Sequence, residues 1–425
     1  ILAFGVFRTS SLMSSSQRWL SALVVVMLNP ALLMVDNIHF QYNGMLLGVL
    51  LLSVTEIAQG RCYTGAVLFS LVVNAKHIFL YVSPVFFVYL LRSHCGCRLR
   101  GCLPEIRLGP FVLLAATVLT TFGLLWLPIL LTGQGLQALQ RLFPFGRGLT
   151  HAYWAPNVWA LYNTADRMLL KAGFGGAEAK THSATSGLAE VYEAAVLWTV
   201  PPKATLLLVI LTYMPLLALI WRRAEPSNPD DSKNPAKLAS SRTMELLLFV
   251  ALGNAVPFAV GWHVHEKAIL QVTIPLLVAA ASCSSKKLIQ AVSALSLVAT
   301  FSVLPLLPQR EADIALKWAL LLMGHVVATV TLRGGTSENK MGILSMFQVG
   351  LVPGFLVVLG ICALGAFNDF GGKQLLLGAK MEFLPLMLIS DFSSCLCLMS
   401  FGHLFWLACN FDREVDSGVG RGKDD

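Results

Sequence analysis

Charged residues are scarce in this sequence. Asp, Glu, Lys and Arg make up only 13% of the 425 residues, whereas hydrophobic residues make up 56%. A water-soluble protein of this length carries about twice that share of charge. The shortage therefore excludes an ordinary soluble protein and predicts a polytopic membrane protein of the all-α class.

Signatures of nucleotide and metal chemistry are also missing. The sequence has no Walker loop, no glycine-rich dinucleotide turn and no nucleophile elbow. Its nine cysteines are not spaced like zinc ligands, because Cys95-Gly-Cys97 has no His-x-x-x-His partner. No acidic cluster argues for a divalent metal. We therefore expect no cofactor and no metal. We also expect no nucleic-acid partner, since the location of the basic residues explains the net charge of +8.

Long apolar runs divide the chain. Runs of bilayer-spanning or shorter length lie at about 19–35, 45–59, 63–91, 109–131, 203–221, 244–261, 267–283, 288–307, 316–332, 342–366 and 381–409. The basic loops 92–107 and 222–242 are expected to be cytoplasmic, which makes 132–202 lumenal. Run 63–91 must then cross twice, as two short helices meeting at Lys76 and His77, and the total is about 12 crossings.

This topology divides the chain into three parts. Residues 1–132 are expected to be the remainder of an N-terminal transmembrane module, 133–202 a lumenal loop with short helices, and 203–425 a C-terminal transmembrane module. The sequence starts at Ile1 rather than Met, and residues 1–7 are typical of the tail of a cut apolar segment. We therefore expect a fragment whose first two helices and first lumenal loop are largely missing.

Four ionisable residues stand between two apolar helices, in the stretch 261–270. They are His263, His265, Glu266 and Lys267. Ionisable groups at the end of a membrane helix are costly unless they have a partner or a task. Lys267 and the imidazoles can donate hydrogen bonds to phosphate oxygens, and Glu266 can hold one of these donors. The stretch predicts a phosphate-binding mouth, and the alternative is a snorkelling lysine with interfacial histidines.

Other lumenal segments carry candidates for sugar binding. Amides, carboxylates and aromatic rings suit sugar hydroxyls and the apolar face of a sugar. Arg141 and Arg147 could clamp a phosphate or diphosphate. The alternatives are a polar interfacial turn and a membrane belt of aromatic residues. The predicted substrate-binding residues are Asp36, His39, Gln41, Tyr42, Asn43, Lys76, His77, Arg141, Arg147, His151, Tyr153, Trp154 and Asn157.

Four strings of this sequence resemble a known family. They are DNIHFQYNG, KHIFLYVSP, RLFPFGRGLTHAYWAPNVWALYN and GWHVHEKAIL. These strings are similar to the endoplasmic reticulum glucosyltransferases that use dolichyl phosphate glucose, which belong to the GT-C superfamily. The strong likeness spans residues 29 to 275. The run His151-Ala152-Tyr153-Trp154 favours the members that glucosylate a monoglucosylated oligosaccharide over those that add the first glucose.

The resemblance implies a GT-C fold in the endoplasmic reticulum membrane, multi-pass, with the active-site loops in the lumen. It implies transfer of glucose from dolichyl phosphate glucose to a dolichyl-diphosphate-linked oligosaccharide, with inversion and an alpha-1,3 product, in N-glycan precursor assembly. Dolichyl phosphate glucose, this acceptor and membrane lipids are the expected partners. His265 would lie at the donor phosphate, with Lys267, Glu266 and His263 beside it.

One departure from the family concerns the catalytic base. In the family it is an Asp in an Asp-Tyr-Pro-Pro run near the N-terminus, and this sequence has no such run. We therefore expect the base upstream of Ile1, and this chain alone to be inactive. Two other classes stay open. One is a lipid or sugar transporter, which would favour paired repeats that are not visible here. The other is a non-enzymatic membrane subunit that binds a lipid phosphate.

Overall fold

A computed structural model describes residues 1–13, 18–100, 103–142, 148–151, 154–174, 194–224, 235–283, 285–307, 316–327 without 318 and 325, and 384–410. The predicted site residues Arg147 and Tyr153 lie outside the described residues, and so does the apolar run 342–366.

The described residues are almost entirely helical. The α-helices are α1 (Leu2–Met13), α2 (Arg18–Met27), α3 (Pro30–Leu32), α4 (Asn43–Ala58), α5 (Cys62–Ala75), α6 (Ser83–Ser93), α7 (Leu108–Leu131), α8 (Gly135–Leu142), α9 (Val158–Lys171), α10 (Pro202–Arg223), α11 (Pro235–Val260), α12 (Leu270–Ser282), α13 (Lys286–Val303) and α14 (Leu384–Cys409). A π-helical turn (Leu33–Ile38) follows α3, and 3-10 turns occupy His77–Val82, Glu266–Ile269 and Leu304–Leu306.

The all-α prediction is confirmed for these residues except at one small hairpin. Strands β1 (Arg98–Arg100) and β2 (Leu103–Glu105) pair in antiparallel fashion, with Arg98 opposite Glu105. Polar and apolar residues alternate along β1 in the sequence, and this period of two suits a strand rather than a helix.

Several helices begin where the sequence supplies a capping side chain. The side chains of Asn29, Asn157 and Ser285 accept hydrogen bonds from backbone N–H groups in the first turns of α3, α9 and α13. Such a side chain satisfies one of the donors that a helix start leaves without a partner. The start of α9 matters most for function, because it fixes the end of the loop that reaches the site.

Five helices of the described part are long and apolar enough to cross a membrane: α7, α10, α11, α13 with the turn after it, and α14. The helix α2 and the segment Pro30–Ile38, bent by 41° at their break, could form a sixth span. The helices α4 and α5 are apolar but shorter. The figure of about 12 crossings therefore stays a prediction.

The break inside the apolar run 63–91 is confirmed. Helix α5 ends at Ala75, and Lys76 has an extended backbone with φ −152° and ψ 106°. A 3-10 turn follows, and α6 begins at Ser83 with Pro84 in its first turn. The run is therefore two short helices that meet at Lys76 and His77. The side of the membrane on which they meet stays a prediction.

The core lies between α11, α12 and α13. Phe249, Phe258 and Phe301 are among the largest fully buried side chains, whereas α7 has no buried residue. A helix that is apolar all round is either buried in protein or faces lipid. Helix α11 is the first case, and α7 is the second. Helix α11 ends beside the candidate site, so a largely buried helix positions the functional residues.

Candidate functional site

The loop before α9 docks on the stretch that follows α11. Thr150 forms an isolated parallel bridge with Val264, and Trp154 forms an antiparallel one with His265. The backbone N–H of His263 donates to the carbonyl of Leu149 at 2.8 Å. Two segments that are distant in the sequence therefore share backbone pairing, and their side chains meet.

Three imidazoles and one carboxylate form what we call the histidine cluster: His151, His263, His265 and Glu266. The rings of His151 and His265 lie 3.8 Å apart, centroid to centroid, and are tilted by 38°. The ring of His263 stands edge-on to both, at 5.6 and 5.7 Å. The Nδ1 atom of His151 lies 3.5 Å from Oε2 of Glu266.

Glu266 is the most buried member of the histidine cluster. Its residue is 1% exposed, and within the described part of the structure neither carboxylate oxygen accepts a hydrogen bond. The side chain of His151 is 23% exposed. A buried carboxylate is costly unless a cation lies beside it. His151 therefore sits between a buried negative charge and the open side of the site.

His263 fastens the loop to the site. Its φ of +50° lies in the left-handed region, which residues other than glycine adopt at a cost. Its Nδ1 atom lies 2.8 Å from the carbonyl of Gly148. One ring nitrogen and the backbone N–H of His263 thus hold residues 148 and 149, which makes its first role structural. The phosphate contact predicted for His263 stays a prediction.

The histidine cluster also contains a set of metal-ligand types. One donor atom each from His151, His265 and Glu266 lies within 4.8 Å of the others. Two imidazoles on one tetrahedral zinc ion, with Zn–N of about 2.0–2.1 Å, have ring centres about 5 Å apart. The rings of His151 and His265 are closer than that, at 3.8 Å. The arrangement fits a ring stack with an ion pair better than a chelate, and the expected absence of a metal stays a prediction.

Asp36 shapes the turn before α4. Its carboxylate accepts hydrogen bonds from the backbone N–H groups of Asn43 and Gly44, at 3.2 and 2.5 Å, and from the side-chain amide of Asn43 at 2.9 Å. These donors stand at the start of α4, where a helix has no internal acceptors for them. Asp36 is therefore engaged in holding the turn, and its predicted role in substrate binding stays a prediction.

Lys76 joins this turn to the break between α5 and α6. Its Nζ atom donates to Oδ1 of Asn43 at 2.6 Å and to Oε1 of Gln41 at 3.4 Å. The same atom lies 5.6 Å from the ring centroid of Tyr42. The fold therefore brings together four predicted substrate-binding residues from two separate strings of the sequence. They are Gln41, Tyr42, Asn43 and Lys76.

Lys76 interacts electrostatically with Lys267, the residue that follows the histidine cluster in the sequence. Burial lowers the pKa of Lys76, the nearby Asp36 carboxylate raises it, and the positive charge of Lys267 lowers it further. Two ammonium groups that repel each other must face a common region. The segments around Asp36, Lys76 and Lys267 therefore lie near one another.

The remaining predicted residues have different surroundings. Asn157 is buried, donates to the carbonyl of Phe258 and caps α9, so it is used within the fold. Trp154 is 3% exposed, with the Arg167 guanidinium 5.1 Å from its ring centroid, and therefore does not offer an open stacking face. His39 contacts the carbonyl of Leu306 at 2.8 Å through Nε2. His77 is exposed.

Arg141 is also exposed. It stands on α8 at the edge of an apolar groove of about 650 Å³ between α4, α5, α7 and α8. Trp126 donates to Asn74 within this groove at 2.8 Å. The phosphate clamp predicted for Arg141 and Arg147 stays a prediction.

Three residues near the site were not predicted from the sequence. Phe40, at the tip of the turn before α4, is 91% exposed with φ +50°. Asp166 of α9 accepts three backbone hydrogen bonds from residues 195–197. Asp391 lies on α14 next to Ser390, whose hydroxyl donates to the carbonyl of Trp154 at 2.9 Å. A carboxylate inside an apolar run, as at Asp391, is a signal that the sequence did carry.

Comparison with known proteins gives a consistent result. The profile of the ALG6, ALG8 glycosyltransferase family matches residues 1–404. The chain is 35% identical over 396 residues to the probable dolichyl pyrophosphate Glc1Man9GlcNAc2 alpha-1,3-glucosyltransferase of Drosophila melanogaster, covering 92% of this chain and 71% of that protein. It is 36% identical over 403 residues to the dolichyl pyrophosphate Glc1Man9GlcNAc2 alpha-1,3-glucosyltransferase of Arabidopsis thaliana, covering 92% of this chain and 74% of that protein. For the Schizosaccharomyces pombe protein the identity is 34% over 422 residues, covering 96% and 76%.

Proposed function

This chain belongs to the ALG6, ALG8 glycosyltransferase family, and from that premise we propose that it transfers glucose from dolichyl phosphate glucose to a monoglucosylated oligosaccharide on dolichyl diphosphate. The names of its relatives state the acceptor, Glc1Man9GlcNAc2 on dolichyl pyrophosphate, and the alpha-1,3 linkage. We propose the same acceptor and linkage here, in the endoplasmic reticulum membrane, with the site on the lumenal side.

One observation supports a lipid phosphate as the leaving group. Imidazole and ammonium groups from separate segments face one region beside the ends of apolar helices, namely His151, His265, Lys267 and Lys76. Several N–H donors at such a place, two of them ammonium groups, suit an anionic headgroup whose chain stays in the membrane. A neutral sugar alone would not need them.

The reaction that we propose is a single displacement. The 3-hydroxyl oxygen of the acceptor glucose attacks C1 of the donor glucose, and the bond from C1 to the phosphate oxygen breaks. Dolichyl phosphate leaves with the electron pair, and the hydroxyl proton passes to a carboxylate base. Negative charge grows on the departing phosphate, so N–H groups of His265 and Lys267 held beside it stabilise the transition state. The identity of the base stays a prediction.

An assay of glucosyl transfer tests this function. Microsomes from cells without their own enzyme, expressing the complete gene, receive dolichyl phosphate glucose and either the Glc1Man9GlcNAc2 or the Man9GlcNAc2 acceptor. Activity on the monoglucosylated acceptor alone is expected. Activity on Man9GlcNAc2 alone would assign the first glucosylation step instead.

The phosphate role is tested in the same membranes with His265→Ala. Loss of one donor to a developing oxyanion costs about 100-fold in rate or more. His94→Ala is the matched control, because His94 lies at the end of α6 beside the Arg107 side chain and outside the histidine cluster. Glucosylation at an unchanged rate in His265→Ala would contradict the phosphate role.

A further inference from the structure

The groove between α4, α5, α7 and α8 has apolar walls that the described part of the fold leaves uncovered. Its volume is about 650 Å³, within the range of about 300–1,000 Å³ that is usual for small-molecule sites. Met45 of α4, Leu71 of α5 and Leu125 of α7 line it and are 45%, 39% and 40% exposed. The described lining residues include no member of the histidine cluster. Such walls suit a hydrocarbon chain.

Helix α7 forms one wall of this groove. It packs along α5 and contacts α8, and none of its 24 residues is buried. It is also long and apolar enough to cross a membrane. An apolar helix that is not buried in protein faces lipid. A lipid chain can therefore reach the groove from the bilayer without passing through water.

A hydrogen bond braces α7 against α5 inside the groove. Nε1 of Trp126 donates to Oδ1 of Asn74 at 2.8 Å, and Nδ2 of Asn74 donates to the carbonyl of Ser70 at 2.8 Å. Both ends of the Asn74 amide are thus used within the protein, and so is the one polar atom of the Trp126 ring. These two residues therefore shape the groove and do not need a polar ligand.

Cationic groups stand at one end of the groove. The bond between Trp126 and Asn74 places the last turns of α7 and α5 at the same level, and α8 follows α7 there. Arg141 of α8 lines this end, is exposed, and makes no hydrogen bond or ion pair with the described residues. Lys76 comes directly after α5. A guanidinium can bind two phosphate oxygens at once. The groove therefore combines an apolar wall with a phosphate-binding group.

The proposed reaction requires two lipids at the same time. In a single displacement the acceptor hydroxyl attacks while the donor glucose is still bonded to its phosphate, so both polyprenyl chains must be bound together. The proposed function already uses His265 and Lys267 for the donor phosphate. The groove offers a place for the second chain nearby, because Lys76 at its end interacts electrostatically with Lys267.

We propose that this groove binds the polyprenyl chain of the acceptor lipid and that Arg141 contacts its diphosphate. The inference rests on the proposed function, which supplies the acceptor. It assigns Leu71, Leu125 and Trp126 to lipid binding, although they lie within ordinary apolar runs of the sequence.

Filling the groove tests this inference in microsomes that contain the complete gene product. Ala138 of α8 lines the groove, whereas Leu136 of the same helix does not line it and is 70% exposed. Ala138→Trp is expected to raise KM for the acceptor about tenfold and to leave KM for dolichyl phosphate glucose unchanged. Leu136→Trp is the matched control and should change neither value. Thermal unfolding of the purified variants shows whether the fold is retained.

A photolabel identifies the bound lipid directly. The probe is farnesyl diphosphate with a diazirine at the end of its chain, which stands for the acceptor lipid. Labelling of residues 125–129 in the complete protein is expected. Farnesyl phosphate, which stands for the donor lipid, should displace the probe about tenfold less well than farnesyl diphosphate does. Arg141→Gln should remove this difference, and Arg141→Lys should keep part of it.

Several results would overturn the inference. One is an equal KM for the acceptor in Ala138→Trp and Leu136→Trp, and another is a rise in KM for the donor alone. Equal displacement of the probe by farnesyl phosphate, or by phosphatidylcholine, would assign the groove to the donor or to ordinary membrane lipid. Absence of labelling at residues 125–129 would mean that another part of the complete protein covers the groove. The proposed function fails instead if the unaltered protein is labelled there but transfers no glucose.

Discussion

The Nζ atom of Lys76 lies 2.6 Å from Oδ1 of Asn43, the first residue of α4. This bond ties the break between α5 and α6 to the turn that Asp36 holds. Burial and the charge of Lys267 both lower the pKa of Lys76, while Asp36 opposes them. Lys76 is therefore a cation that is held in place and partly desolvated, which suits it to an incoming anion.

The first prediction concerns this lysine. Because the pKa of Lys76 is lowered, its charge is lost at a lower pH than that of an exposed lysine. Binding of farnesyl phosphate is therefore expected to fall as the pH rises through that lowered pKa. Lys76→Arg should remove the fall, because guanidinium keeps its charge, and Lys76→Met should weaken binding below that pKa and approach the unaltered chain above it. Lys286→Met, at the exposed start of α13, serves as control.

The second prediction concerns the backbone at His263. His263→Ala loses the bond to the Gly148 carbonyl, worth about 0.5–1.5 kcal/mol, and keeps a left-handed φ. His263→Gly loses the same bond but removes backbone strain of about 1–3 kcal/mol. The glycine variant should therefore protect residues 148–151 from hydrogen exchange better than the alanine variant. Equal exchange in both would mean that the backbone conformation stores no strain.

The third prediction concerns Asp166. Burial raises the pKa of its carboxyl. Hydrogen bonds from the N–H groups of Leu197, Ala195 and Val196, together with the charge of Arg167, lower the pKa by more than burial raises it. The net pKa is therefore below the usual 3.8. The unfolded chain then binds the proton more readily. The stabilisation that the Asp166 carboxylate gives to the folded protein is therefore present above the pKa of the unfolded chain. It is lost as the pH falls through the lowered pKa of the folded protein.

Asp166→Ala should therefore lower the free energy of unfolding by about 1–3 kcal/mol at pH 7, because three partly buried donors lose their acceptor. The variant should also lose the acid dependence that Asp166 contributes. Thermal unfolding between pH 3 and pH 7 measures both effects. Glu105→Gln, at an exposed residue of β2, is the control.

The fourth prediction concerns the contact between α11 and α6. A Cβ atom at Gly253 would overlap Cγ2 of Val85, so the helices leave no room for a side chain there. Gly253→Ala should thus destabilise the protein by about 1–3 kcal/mol through overpacking. A Cβ atom at Gly402 in α14 would meet no described atom within 4 Å, so Gly402→Ala should be neutral or stabilising. An unchanged melting temperature in Gly253→Ala would show that α6 can shift.

Local patterns in the sequence predicted the membrane class, the positions of most described helices and the break at Lys76. The class and the helix positions follow from the lengths of the apolar runs, and the break at Lys76 follows from run length together with the placement of the basic loops. The residues 263–267 were also identified locally, because ionisable side chains beside apolar helices are conspicuous. The enzyme class came from the resemblance of four strings, and the family comparison confirms it.

Only the tertiary structure decided which side chains share the site. The pairing of Thr150 with Val264 and of Trp154 with His265 places His151 against Glu266, and the same docking buries Trp154. Asp36 likewise holds the start of α4, and the tertiary structure shows which backbone groups it binds there. A sequence pattern reports the polarity of a residue, whereas its burial and partners depend on segments far away in the chain. For that reason the chemical types at the site could be predicted, but their roles could not.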